Sequence, residues 1–200
     1  MHAPVKLYLA SSNPGKLEEF RALAGADAGL AWQLELLPDF KSLPPFHEDA
    51  PTFAENAAGK ALHYSRFCDP PVFADDSGLV VPSLGGAPGV RSARYAGGAA
   101  TSEQRNLKLL AAMRDKVGAA RRAYFVCAIA LAHRGHPKAI VTDRADGEIL
   151  LEPRGKAGFG YDPVFYFPPL KRSFAEISRE EKNKYSHRGR AFRKLLAFLA

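Results

Sequence analysis

Cysteine is nearly absent from this 200-residue chain, which has only Cys68 and Cys127. Two thiols are too few for a disulfide framework, and neither has the CxxC or histidine spacing of a zinc site. Both are therefore expected as buried, reduced side chains in a reducing compartment. Long apolar runs are missing too. The longest, Ala123 to Ala132, has ten residues, about half of what a membrane span requires. The opening MHAPVKLYLASSNPGK ends its apolar stretch in a Gly-Lys turn rather than in a cleavable secretory segment. These absences predict a soluble, unexported, cytoplasmic protein. The six histidines form no HExxH, and no GxSxG elbow accompanies a Ser-His-Asp order, so nucleophilic acyl chemistry has no support. No repeat, low-complexity tract or linker divides the chain, so residues 1–200 are expected to form one domain.

What is present is ordinary globular composition, 46% hydrophobic and 24% charged. The net charge of +7 favours an anionic partner or substrate. It is local: between residues 171 and 200 nine Lys and Arg stand against three Asp and Glu, giving +6 of the total. Val5 to Ala10 reads as a strand, broken by Ser12-Asn13-Pro14-Gly15 before Leu17, Phe20 and Leu23 recur at helical spacing. Trp32 to Leu37 alternates as a half-buried strand. Thr52 with Glu55, Thr101 with Gln104 and Ser178 with Glu181 each read as a reciprocal capping box. The first of these opens a helix to about Cys68 and the second a helix to about Val117. The third opens a final helix with Ala191, Phe192, Leu195, Leu196, Phe198 and Leu199 on one face. Val72 to Ala74 is expected as a short strand ending in a turn at Asp75-Asp76-Ser77-Gly78, with apolar character resuming at Leu79. Ala123 to His133 and Lys138 to Glu152 are strand-like runs joined by Arg134-Gly135-His136-Pro137, which predicts a hairpin. The alternation of elements predicts an α/β domain with a mixed sheet.

Four segments could carry chemistry. SSNPGK, residues 11–16, lies between a strand and a helix, where backbone N–H groups, a glycine and a lysine can cradle phosphate. It lacks the first glycine and the Ser or Thr of a Walker A loop, and an ordinary turn would look the same. Glu48, Asp49, Glu55, Asp75 and Asp76 form an acidic group suited to magnesium, which takes one or two carboxylates with phosphate and water oxygens. Glu55 is already explained by its cap, and one Asp of a pair at a turn usually serves the backbone, so one of Asp75 and Asp76 is structural. GFGYDP, residues 158–163, could offer Phe159 or Tyr161 to a base, or could be core. REEKNKYSHRGR, residues 179–190, is read as a solvated helix face or a nucleic-acid patch, though no interleaved aromatics accompany it.

Together, SSNPGK, FxENAxxKA, ADDSGL, GGAPGVRSARYAG, GFGYDPVF and EEKNKYSHRGRA resemble the inosine triphosphate pyrophosphatase family in order and spacing from Ser11 to about Ala191. The resemblance implies an elongated single α/β domain with a central mixed sheet and two lobes flanking a nucleotide cleft. It implies magnesium-dependent hydrolysis of ITP, dITP and XTP to the monophosphate and pyrophosphate, by a homodimer that needs no nucleic acid or membrane. Carried onto this chain, Ser11, Ser12, Asn13, Pro14, Gly15 and Lys16 would hold the triphosphate, with Lys60 adding positive charge. Glu48 and Asp76 would hold the metal; counting back from Phe53 favours Glu48, with Asp49 as the alternative. Asp76 would activate water and Ser77 would touch the substrate. Phe159, Gly160, Tyr161, Asp162, Lys182, His187 and Arg188 would form the nucleoside end, where donors on His187 and Arg188 would read the C6 carbonyl. Two rival readings remain: a pyrophosphatase for other modified nucleotides, and a nucleic-acid-binding module using the basic final segment.

Overall fold

The computed structural model describes residues 5–25 and 32–200. Seven strands form one mixed sheet in the order β2-β1-β3-β4-β5-β6-β7. They are β1 (Val5–Leu9), β2 (Trp32–Leu36), β3 (Val72–Val80), β4 (Arg122–His133), β5 (His136–Ile149), β6 (Phe165–Phe167) and β7 (Arg172–Ser173). β1 runs parallel to both β2 and β3, whereas β6 runs antiparallel to β5 and β7. The helices are α1 (Pro14–Gly25), α2 (Phe53–Tyr64), α3 (Ser102–Ala112), α4 (Arg179–Tyr185) and α5 (His187–Leu199). Among the described residues, no helix is long and apolar enough to cross a membrane.

The chain forms two compact units. The first comprises Met1–Asp76, Cys127–Asp143 and Arg188–Ala200. Side chains alternate along a strand, and here each sheet face has its own core. Leu7, Leu9, Phe73, Cys127, Ile129 and Leu131 pack with Leu17 and Phe20 of α1 and with Phe192 and Leu195 of α5. On the other face Tyr8, Ala10, Val72, Ala74, Ala128 and Ala130 pack with Ala57, Ala61 and Tyr64 of α2. The small side chains of that second face let α2 lie close to the sheet. β4 and β5 are joined by Arg134 and Gly135, both at positive φ (50° and 76°), as a two-residue turn matching the strand twist requires.

The second unit comprises Ser77–Val126 and Arg144–His187. Leu79 and Val81 pack with Leu109 and Met113 of α3 and with an aromatic group that includes Phe125, Phe165, Phe167 and Phe174. Arg121 is buried at its edge and donates to the carbonyls of Met113, Lys116, Ile149 and Leu150. One interior side chain thereby serves four backbone acceptors, and its own buried donors are satisfied in return.

Several local expectations change. The acids of ADDSG do not form a turn: β3 runs unbroken from Val72 to Val80, so Asp75 and Asp76 point to opposite faces in mid-strand. α2 stops at Tyr64 and α3 at Ala112, earlier than the apolar spacing suggests. The Thr101–Gln104 box is reciprocal. At Thr52 the hydroxyl caps the Glu55 N–H, but the Glu55 carboxylate accepts from that hydroxyl. Ser178 likewise accepts from the Glu181 N–H. Extended backbone at Ser186 splits the final helix into α4 and α5. Phe198 lies outside the packed face at 56% exposure, and Cys68 is half-buried rather than buried.

Candidate active site

β3 places one acid on each face of the sheet in the first unit. Asp75 continues the face of Leu9 and Phe73 and therefore meets α1 and α5. Lys16, in the first turn of α1, donates to both Asp75 carboxylate oxygens at 2.8 and 3.0 Å. Arg188, in the first turn of α5, lies 3.4 Å from Asp75 Oδ2 and binds Glu19 Oε2 at 2.8 Å. Asp75, Glu19 and Arg188 are all buried. Burial alone would raise the Asp75 pKa, but Lys16, Arg188 and Lys60 outweigh it and hold the carboxyl well below its ordinary range. Asp75 is thus the acid of the pair that is fully engaged by cations.

Asp76 continues the face of Val72 and Ala74 and meets α2. It is half-buried, and its Oδ2 accepts a 3.0 Å hydrogen bond from Asn56 Nδ2. Burial, and then the like charge of Glu48, push its carboxyl up to about 6 against the opposing Asn56 bond. Lys60, one turn beyond Asn56, forms an ion pair with Glu48 and donates to the Asp75 carbonyl at 2.9 Å. Burial works against the Lys60 charge, but Asp75 and Glu48 outweigh it and raise its pKa. Glu48, not Asp49, is therefore the loop acid that this centre feels. Asp49 is exposed.

Two carboxylates whose mutual repulsion raises one pKa suit a hard divalent cation, which relieves that repulsion. Among the described residues, no three His, Cys, Asp or Glu side chains cluster as a metal ion would need if the protein supplied most ligands. Magnesium differs in taking few protein oxygens and completing its shell with phosphate and water. Glu48 and Asp76 fit it on that chemistry.

The 11–16 loop is the exposed lip of α1. Its N–H groups are partly engaged: Asn13 donates to Ser11 Oγ at 3.1 Å and Gly15 to Asn13 Oδ1 at 2.9 Å. Ser12, Asn13, Pro14 and Gly15 are exposed, while Lys16 is turned inward to Asp75. Ser77 is half-buried on β3.

In the second unit the GFGYDP loop is held from three sides. Asn106 of α3 donates to the Gly160 carbonyl at 3.1 Å, and Tyr161 Oη donates to the Ser92 carbonyl at 2.8 Å. Lys182 of α4 binds Asp162 at 2.5 Å, and that carboxylate also accepts the Phe159 N–H at 2.8 Å. Gly158, at φ 75°, has no room for a side chain because a Cβ would collide with Asp162 Oδ2. Tyr161 and Asp162 are buried, leaving Phe159, 57% exposed, as the aromatic the loop presents. The Lys182 ammonium sits 4.5 Å from its ring centroid. His187 is buried and stacks on Phe125 at 4.8 Å, 9° from parallel.

The resemblance gives Arg188 donors for the base at the nucleoside end; in the structure its guanidinium faces the carboxylates of Glu19 and Asp75 in the first unit. The basic final segment is also less free than its charge suggests, since Lys182 and Arg188 are interior and Lys194 binds Asp143 at 2.9 Å. Sequence reasoning missed Glu19 and gave Asn56 no role. Each had a spacing signal, Glu19 three residues after Lys16 and Asn56 four before Lys60, which puts each on its lysine's helix face.

Fold and site define a class: an α/β protein whose mixed sheet carries a paired-acid centre backed by lysines. A model of the Ham1 family matches residues 7–198, and the chain belongs to that family. A dITP/XTP pyrophosphatase of Thermus thermophilus is 48% identical over 193 residues, covering 96% of this chain and 90% of the relative. One from Desulfotalea psychrophila is 44% identical over 191 residues, covering 96% and 83%. The solved structure of a HAM1 protein from Coxiella burnetii matches with a TM-score of 0.86 at 41% identity, covering 98% of each chain. That of the Staphylococcus aureus Ham1 protein matches at 0.85 and 35%, covering 97% of each.

Proposed function

We propose that this chain is a single-domain hydrolase that converts non-standard purine nucleoside triphosphates, dITP, XTP and ITP, to the monophosphate and pyrophosphate. The observation that carries this reading is Asp76, a carboxyl pushed up to about 6 beside Glu48 on a strand flanked by Lys16 and Lys60. A carboxylate at that place can take a proton from water as the water attacks the α-phosphorus. The relatives named dITP/XTP pyrophosphatase support the substrate class.

Residues 11–16 and Lys60 hold the triphosphate, and Ser77 contacts it beside the reacting phosphorus. Glu48 and Asp76 hold magnesium. When bound, that ion neutralises charge on the leaving pyrophosphate. Phe159 supplies a stacking face, with Gly160, Tyr161, Asp162, Lys182 and His187 shaping the nucleoside end. A donor there binds the C6 carbonyl of hypoxanthine or xanthine and is left unpaired by the amino group of adenine. Arg188 serves the phosphate side by holding Asp75 and Glu19. The protein acts in the cytoplasm as a homodimer on a small-molecule substrate, with no nucleic-acid or membrane partner.

Phosphorus NMR of the products, with and without magnesium, tests the reaction. Monophosphate and pyrophosphate are expected from dITP, XTP and ITP. A nucleoside diphosphate with orthophosphate would mean that the β–γ bond is cut and would overturn the reading.

A further inference from the structure

The face of α2 carrying Asn56, Gly59, Lys60 and His63 binds the loop of residues 44–50 at successive turns. His63 Nε2 donates to the Pro44 carbonyl at 2.8 Å, and Tyr64 Oη accepts the Phe46 N–H at 3.3 Å. The Phe46 ring lies so close over Gly59 that a Cβ there would come within 2.5 Å of it. Lys60 pairs with Glu48. At the end of the row, Asn56 holds Ala50 by both backbone groups: Oδ1 accepts the Ala50 N–H at 3.0 Å and Nδ2 donates to the Ala50 carbonyl at 3.3 Å. The second proton of the same Nδ2 goes to Asp76 Oδ2 at 3.0 Å. A primary amide has two N–H donors, and both are used. The orientation is forced, because a flipped amide would set its carbonyl oxygen against the carboxylate. Asn56 is buried, 1% exposed, so no solvent can replace these bonds.

We infer that Asn56 is a positioning residue for the proposed reaction: one buried amide ties the Glu48-bearing loop to Asp76 and so sets the two acids relative to each other. Its bond occupies Asp76 Oδ2 and leaves Oδ1 to meet water or metal. The inference rests on the pyrophosphatase reading and adds a residue to which that reading gives no role. Groups that orient metal-binding carboxylates commonly carry about 10- to 100-fold in metal affinity or activity.

Three variants separate the two arms of the amide. Asn56→Asp keeps an acceptor for the Ala50 N–H but cannot donate to Asp76. Asn56→Ala removes both arms, and Gly59→Ala disturbs the loop while leaving the Asp76 bond. Four quantities are measured: hydrogen exchange at the Ala50 amide in nucleotide-free protein, and kcat, KM and half-saturating magnesium for dITP. Asn56→Ala should speed Ala50 exchange, lower kcat about 10- to 100-fold and raise half-saturating magnesium, with little change in KM for dITP. Asn56→Asp should lose as much kcat while Ala50 stays protected. Gly59→Ala should speed Ala50 exchange with a clearly smaller loss of kcat. If Asn56→Ala does not fold, the near-isosteric Asn56→Asp decides alone. An Asn56→Asp enzyme within twofold of wild-type kcat, or a Gly59→Ala loss as large as that of Asn56→Asp, would overturn the inference. A wild-type protein releasing no pyrophosphate from dITP, XTP or ITP would instead overturn the pyrophosphatase reading, whatever the exchange data show.

Discussion

On the face of β3 that meets α1 and α5, a carboxylate is surrounded by cations; on the face that meets α2, one residue later, a carboxylate looks at an amide and a second acid. Asp75 and Asp76 share a strand, a residue type and nearly the same depth along the chain. Their environments push their pKa values in opposite directions. Asp75 is held ionised by Lys16, Arg188 and Lys60 and joins three elements. Asp76 is kept where its ionisation costs free energy. Strand alternation alone gives the two acids of one dipeptide opposite electrostatic settings.

The comparison can be broken from the chemical side first. Asp76→Asn preserves shape and still accepts the Asn56 bond, yet should lower turnover of dITP about 10²- to 10⁴-fold, the range for a lost general base. Steady-state rates at saturating magnesium check this, and wild-type activity would remove Asp76 from that role. From the structural side, Asp75→Asn leaves Lys16 and Arg188 without their common partner. Removing one member of a buried ion pair costs about 3 to 5 kcal/mol, readable as a lower urea midpoint. The sign with pH follows from the depressed Asp75 pKa. Its contribution is full above the ordinary carboxylate value of about 3.9 and is lost only as pH falls further, through the folded-state value. The wild-type advantage over Asp75→Asn should therefore persist to strongly acidic pH and then shrink.

The third test concerns stability at the chemical acid. A folded-state pKa of about 6 against an ordinary value of about 3.9 means that the metal-free protein loses stability as pH rises between the two and carries the full cost above the higher one. Asp76→Asn should therefore stabilise it at neutral pH by roughly 1 to 3 kcal/mol, while Asp75→Asn does the reverse. Adding magnesium should narrow the gained margin. Equal midpoints for Asp76→Asn and wild type would show that Asp76 is not under strain. The smallest effect belongs to Glu48→Gln, which removes a like charge and should lower the Asp76 pKa by about one unit or less. Carbon NMR of the carboxyl in metal-free protein reads that shift directly.

How far the sequence revealed this contrast depends on range. α1, α2, the Thr101–Gln104 box and the β4–β5 hairpin were legible from residue chemistry, although the expected connection of residues 134–137 is two residues shorter because β5 already starts at His136. The unbroken β3 was not, because Asp, Ser and Gly are poor strand formers and ADDSG reads as a turn. The strand continues because packed helices supply each acid with partners, a tertiary effect outside any local window. Arg188 shows the same limit. Its segment read as one continuous basic helix face, its partner Glu19 lies 169 residues away, and no spacing rule connects them. The capping boxes at Thr52 and Ser178 were half legible: each hydroxyl caps as its position demands, while the Glu55 carboxylate accepts from the Thr52 hydroxyl instead of from the backbone.

The Glu19–Arg188 pair also orders events during synthesis. Those 169 residues take roughly 10 to 30 s to add at ordinary elongation rates. For the first part of that interval Asp75 is itself not yet made; once it is, Lys16, Glu19, Lys60 and Asp75 are all present, and the guanidinium that completes their buried pairing has still to be added. The first unit therefore cannot complete its buried ion pairing until α5, the last helix, has been synthesised.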